Sequence, residues 1–324
     1  MAIDFSELQF SFNEHYFLPA ESAKIINEVG IRAQIGLWCG QLDTPEGHNV
    51  QTQLTTAAQT LEKCSNLSPL IDFSVAAHSP YLLDNDDLSA LKNFSEQHQL
   101  NVHMHVHEVK SEIESSIQEY GKRPLARLAE HGVLSERFLG VHLTQVNDED
   151  LTIIKDSGMH VAHCPHSNLK LASGFSPIQS MHDIGINIAL GTDSAASNNS
   201  LNMLAEMNTA GILSKAVSED STATPAYTAL SMATINGAKA MGLDHKIGSI
   251  EKGKQADIIA IDLNHVNTLP MYNPINQIVY GASREQISHV WVAGKALLID
   301  NELTVIDEAE VLRQAIAWQS KIRP

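Results

Sequence analysis

Cysteine, positive charge and long apolar runs are what this 324-residue chain has little of. Its three cysteines, Cys39, Cys64 and Cys164, stand far apart and form no Cys-x-x-Cys pair. That pattern excludes a disulfide framework and gives no sign of a thiolate zinc site, and it suits a reducing compartment. Basic residues are outnumbered, 21 Lys+Arg against 38 Asp+Glu, so the net charge is −17. No basic run offsets this, which argues against binding the phosphate backbone of a nucleic acid. No apolar run approaches the roughly 18–20 residues that span a bilayer. The start, Met-Ala-Ile-Asp-Phe-Ser-Glu-Leu, shows no basic stretch followed by an apolar one, so no signal peptide is expected. A soluble, cytoplasmic protein without nucleic-acid or membrane partners is the expectation. With 43% hydrophobic and 18% charged residues, the composition is ordinary for a globular chain. The length allows one large α/β barrel or two domains.

Short apolar strands alternate with helical stretches from residue 9 to about residue 235. Strands are expected at Gln9–Asn13, Ile31–Cys39, Ile71–His78, Asn101–His107, Phe138–Thr144, His160–Pro165 and Asn187–Asp193. Helices are expected near 19–29, 50–63, 84–98, 109–131, 147–157 and 177–184, then 201–218 and 225–240. Asp84 and Asn147 sit where N-caps belong, and Gly30, Gly158 and Gly185 where helices should end. This alternation points to a parallel sheet buried on both faces. A closed barrel needs eight strands, so the expected fold is a TIM-type (β/α)8 barrel that lacks its first strand, with two unpaired edges.

The texture changes after Gly248, which divides the chain into a barrel over 1–247 and a smaller unit over 248–324. A strand at Ala256–Asp262 and a hairpin of His289–Ala293 and Lys295–Ile299, joined at Gly294, make that unit a small β module. A final helix is expected from about Glu308 to Lys321, with Asp307 as its N-cap. Its stripe of Val311, Leu312, Ala315, Ile316 and Gln319 should dock onto the body.

Catalytic residues in such barrels lie at the C-terminal ends of strands. Here those ends carry His78, the run His103, His105, His107 and Glu108, then His142, His163 and Asp193. Period-two alternation places His103, His105 and His107 on one strand face. Neutral imidazole is the commonest metal ligand. Five successive strand ends bearing His or Asp are hard to explain as packing, and they point to one functional mouth.

The ordered set His105-x-x-Glu108, Val141-His142-Leu143, the stretch 163–171 (His-Cys-Pro-His-Ser-Asn-Leu-Lys-Leu) and Gly191-Thr192-Asp193-Ser194 resembles the metal-dependent amidohydrolase superfamily. Within it the similarity is greatest to the 5′-methylthioadenosine/S-adenosylhomocysteine deaminase group, near the triazine hydrolases. Residues 167–174 and 191–199 are its most specific pieces, and 248–262 resembles the passage into that family's β-sandwich. The resemblance implies a hydrolytic, zinc-dependent deaminase of adenosine-type purine nucleosides, releasing the inosine analogue and ammonia. It implies His105 and Asp193 as metal ligands, with Asp193 also the base for the attacking water. Glu108 would contact the purine ring and pass a proton to its nitrogen. His142 would hydrogen-bond the reacting oxygen, and His78 would contact the substrate. His103, His107 and His163 are left as supporting residues.

The strand ending at His78 carries no lysine, which argues for one Zn2+ per site rather than two. The family's His-x-His strand, the source of two further ligands, is not found, and the sequence reads as truncated at its N-terminus. With two ligands instead of three, weak zinc binding and impaired activity are expected. Two other readings stay open: a guanine- or triazine-type aminohydrolase on the same fold, and a non-catalytic homologue. A homo-oligomer that covers the exposed strand edges is a further possibility.

Overall fold

A computed structural model describes residues 19–322, so the expected strand at Gln9–Asn13 lies outside the described residues. Helix α1 (Pro19–Val29) leads into β1 (Ala33–Trp38), α2 (Val50–Cys64) and β2 (Ile71–Ala76). Then follow α3 (Asn85–His98), β3 (Asn101–Val106), α4 (Lys110–Tyr120), α5 (Pro124–Glu130), β4 (Phe138–His142) and α6 (Asp148–Ser157). The alternation continues through β5 (His160–His163), α7 (Pro165–Lys170), α8 (Ile178–Asp183), β6 (Ile188–Leu190), α9 (Ala195–Asn198) and α10 (Met203–Ser218). Helices α11 (Ala226–Met232) and α12 (Ile235–Ala240) close this part.

The six strands form one parallel sheet in sequence order, β1 to β6. Among the described residues β1 and β6 are its two edges. Parallel neighbours in register share a face, which sorts the side chains. His105 lies opposite Val141, and Val141 opposite Ala162. Leu139, Val141, Ala162 and Ala189 form one inner cluster with α12 residues Ala238 and Ala240. On the other face Val102, Met104 and Val106 join Phe138, Val161 and Ile188 beneath the outer helices. Asn49, Asp84 and Asn147 each build a complete capping box at the start of α2, α3 and α6. These boxes satisfy amide groups that a helix start otherwise leaves orphaned.

Two long helical stretches break where sequence patterning ran on. The stretch 109–131 divides at Gly121, whose φ of +71° ends α4, before Pro124 restarts the chain as α5. The stretch 225–240 divides between α11 and α12 at Ala233 and Thr234.

The smaller unit is an antiparallel sheet in the order β10-β9-β8-β7. Its strands are β7 (Ile258–Ile261), β8 (Ile287–Val292), β9 (Lys295–Ile299) and β10 (Glu302–Leu303), with α13 (Pro274–Tyr280) between the first two. Arg32, just before β1, ties it to the barrel by donating to Asp257 at 2.6 Å and to Gln255 at 2.5 Å. Helix α14 (Glu308–Ile322) starts at Asp307, whose carboxylate accepts from the Glu310 amide. Among the described residues the expected docking of its stripe is not found. Val311, Leu312, Ala315, Ile316 and Gln319 are all exposed, and α14 buries no residue among the described ones. Amphipathic spacing says which face would accept a partner, and it carries no information on where one lies. No helix of the described residues is long and apolar enough to cross a membrane.

Candidate active site

The strand ends deliver their side chains by leaving the strand geometry. His142, Leu143 and Asp193 adopt φ values of +75°, +47° and +58°. Non-glycine residues seldom occupy this left-handed region, and such positions cluster at functional sites. In regular alternation Val141 faces inward beside His105 and His142 faces away. The left-handed turn instead carries the His142 ring to His105, where the two imidazoles stack with centroids 5.3 Å apart and planes 24° from parallel. His105, His142 and Asp193, all buried, each offer one ligand atom, and these atoms lie within 4.8 Å of one another.

The hydrogen bonds behind these groups set their chemistry. His105 Nδ1 lies 2.9 Å from the His78 carbonyl oxygen, which can only accept. The proton is therefore on Nδ1, and Nε2 carries the lone pair. His142 Nδ1 lies 2.8 Å from Asn168 Oδ1, which assigns the same tautomer. The Asp193 carboxylate receives the Ser194 amide at 2.8 Å and the Ser167 hydroxyl. Second partners of this kind orient metal-binding side chains and fix their tautomers. Burial, reinforced by neighbouring imidazoles, holds His105 below its ordinary pKa and pushes His103 down to about 3. His78 falls to about 2 for the same reasons. Two imidazoles, each with one ring nitrogen turned away from its hydrogen bond, beside a carboxylate make a donor set that suits a zinc ion with an open position.

The other expected residues fall around this cluster. His78 is half-buried, with its ring 4.6 Å from that of His105 and its Nδ1 2.7 Å from the Ser79 hydroxyl. Glu108 brings Oε2 to 3.8 Å from His142 Nε2 and takes the Ser173 hydroxyl at 3.0 Å on Oε1. His103 lies one strand step below His105, their centroids 5.9 Å apart.

His107 leaves the face that alternation assigned to it. Strand β3 ends at Val106, and a φ of +55° turns His107 outward toward the helices. There its Nε2 accepts from the Leu125 amide at 3.1 Å, and Nδ1 lies 3.5 Å from Asp150. Burial pushes its pKa down to about 4. His163 is likewise buried beneath the site and pushed down to about 3 by burial, with His142 adding to the effect.

Sequence reasoning named no role for Thr144, Ser167, Asn168 or Ser173. The last three lie in the stretch 167–174, so the signal was present without an assignment. Glu112 and Glu206 gave no signal beyond their occurrence in amphipathic helices.

The sequence pattern of the Amidohydrolase family matches residues 11–297. The chain is 41% identical over 311 residues to the 5-methylthioadenosine/S-adenosylhomocysteine deaminase of Teredinibacter turnerae, covering 96% of this chain and 70% of that one. It is 35% identical over 300 residues to the 5′-deoxyadenosine deaminase of Methanopyrus kandleri, covering 93% and 69%. Among solved structures, an adenosine deaminase from Xanthomonas campestris with bound zinc superposes with a TM-score of 0.92 at 38% identity, over 96% of this chain and 71% of that one. The atrazine chlorohydrolase TrzN of Arthrobacter aurescens shares the fold, with a TM-score of 0.85 at 21% identity over 92% and 68%.

Proposed function

The chain belongs to the amidohydrolase family, as a hydrolytic deaminase by kind, and on that premise we propose that it deaminates adenosine-type purine nucleosides. Its substrates are 5′-methylthioadenosine and S-adenosylhomocysteine, the pair named for the Teredinibacter turnerae relative. The observation that carries this reading is the carboxylate of Glu108 set 3.8 Å from a ring of the His105–His142–Asp193 cluster.

His105, His142 and Asp193 would hold a single Zn2+. This extends the ligand pair read from the resemblance by one nitrogen and reaches the three protein donors usual for a catalytic zinc. Bound there, the ion would supply a strongly acidified water at neutral pH. Asp193 takes a proton from the attacking water, its other oxygen held by Ser167. Glu108 delivers a proton to the purine ring nitrogen as the water oxygen adds to the amine-bearing carbon. Asp193 then passes the proton it took from the water to the leaving amine, and Glu108 takes back a proton from the new hydroxyl, so that both carboxylates return to their starting states, acid–base work of the kind zinc nucleobase deaminases use. Addition of water and departure of ammonia leave the inosine analogue. His78, beside both His105 and Trp38, lies where it can contact the bound nucleoside.

The test is ammonia release from a panel of 5′-methylthioadenosine, S-adenosylhomocysteine, 5′-deoxyadenosine and guanine, with chloride release measured for atrazine. Turnover of the adenosine-type compounds alone supports the proposal. Turnover confined to guanine or atrazine overturns the substrate class, and ammonia from none of them overturns the activity.

A further inference from the structure

Glu112 is a buried carboxylate that the proposed chemistry leaves without a task. It occupies the third position of α4 and is 8% exposed. Its Oε1 accepts the His107 amide at 2.9 Å, and its Oε2 accepts the Glu108 amide at 2.8 Å. A glutamate at this position ordinarily reaches back to the N-cap amide as half of a capping box. Here the N-cap is Val109, whose amide also acts on the Glu112 carboxylate but whose side chain cannot complete the box. A serine or threonine at 109 would cap α4 without burying a charge. Instead burial pushes the Glu112 pKa up to about 7, against the pull of the amides it accepts. The arrangement bears a desolvation cost that capping alone does not call for.

The two amides are that of Glu108 and that of the residue before it. The same short segment is held from the opposite side by the Thr144 hydroxyl, which donates to the Glu108 carbonyl at 2.6 Å. The Thr144 and Gln145 amides donate to the His107 carbonyl at 3.1 and 3.0 Å. His107 itself is fixed by Leu125 and Asp150 in its left-handed conformation. The Glu108 backbone is thus clamped between α4 and the loop after β4, and its carboxylate projects from that clamp toward His142.

We propose that Glu112 is the positioning residue for Glu108: by holding both preceding amides it aims the Glu108 carboxylate at the ring nitrogen it protonates. This rests on the deaminase reading. Glutamine at 112 keeps the length but turns an NH2 group toward one of the two amide donors, so one bond is lost and the segment shifts.

The experiment compares kcat and KM for 5′-methylthioadenosine in the zinc-supplemented full chain and in E112Q, E108Q, E108Q/E112Q and N49A. Asn49 caps α2 and touches none of the site residues, so it reports the loss of a helix cap alone. The expected result is a kcat for E112Q lower by about 10–100-fold, the scale of a small misplacement of a reacting group, with KM raised as it is in E108Q. E108Q/E112Q should be no slower than E108Q, and N49A should lose thermal stability while keeping its kcat. An E112Q kcat within twofold of wild type, or losses that multiply in the double variant, would overturn the assignment. Should the wild-type chain release no ammonia, the activity fails on its own account, and calorimetric binding of 5′-methylthioadenosine decides on Glu112. E112Q must then weaken binding as E108Q does, without adding to it; unchanged binding refutes the role.

Discussion

Asp150 offers the sharpest test of how the site is supported from behind. Its carboxylate is 1% exposed and serves three groups at once. It receives Arg123 Nε at 2.9 Å and Nη2 at 2.6 Å, and it closes the α6 capping box by accepting the Asn147 amide at 3.0 Å. His107 Nδ1 stands 3.5 Å away. Asp150→Ala leaves the Arg123 guanidinium without its partner, at a cost of about 3–5 kcal/mol for a buried pair. Arg123 is 23% exposed, which puts the charge loss near the lower end, about 3 kcal/mol. Loss of half a capping box adds about 1 kcal/mol. Asp150→Asn retains one acceptor and should lose only about 2–3 kcal/mol. In urea titrations D150A should therefore be destabilised by about 4 kcal/mol, with a melting temperature lower by roughly 6–12 °C. Adding Arg123→Met removes the stranded charge, so the double variant should recover at least about 2 kcal/mol of the summed losses. A loss below about 1 kcal/mol for D150A, or strictly additive variants, would refute the view that this buried pair supports the strand-end loops.

Three further outcomes follow from individual contacts. Asn168→Ala removes the acceptor that fixes the His142 tautomer, and the zinc dissociation constant from chelator competition should rise about 10–100-fold. Gly248→Ala forces a side chain onto a φ of +91°, with its Cβ 2.6 Å from that of Ala238 and 3.1 Å from the Ile235 backbone. Left-handed strain and overpacking together should cost about 2–4 kcal/mol in urea titrations. Acid should destabilise the metal-free chain. Burial lowers the pKa values of His78, His103, His107 and His163 to between about 2 and about 4. Below pH 6.5 the unfolded chain therefore binds protons that the folded chain refuses, and stability is lost as pH falls. Glu112 and Glu206, both raised to about 7 by burial, act in the opposite sense above pH 4.5, but two carboxylates do not offset four histidines. A net loss of about 2 kcal/mol or more is expected between pH 6.5 and pH 5 in chelator, and rising stability over that interval would contradict the burial of these rings.

How far the sequence could be read depends on what each signal encodes. Apolar runs located all six strands of the parallel sheet, because a parallel strand buried on both faces has little else to be. Their C-terminal ends were drawn one to three residues too long, since the chain leaves the strands near His142, Asp193 and after Val106 by turns that hydrophobicity does not record. The same turns decide where the histidines of the site point. Alternation placed His107 beside His105, but a left-handed residue reverses its direction and makes it a support for the loop. His142 was read as a partner of the reacting oxygen, and the turn at its own φ brings it among the ligand atoms. Glu112 could not be read at all, because its partners are backbone amides, which have no signature in composition. Helix α14 is the converse case: its apolar stripe was legible, its exposure was not.

On the proposed reading, His105, His142 and Asp193 would together hold the zinc ion that the reaction needs. The most direct test is elemental analysis of the purified protein after dialysis, with and without His142→Ala, alongside ammonia release from 5′-methylthioadenosine. Near one zinc per wild-type chain with ammonia released is expected, and the loss of both in H142A. Little zinc in the wild-type protein, or zinc retained in full by H142A, would contradict it.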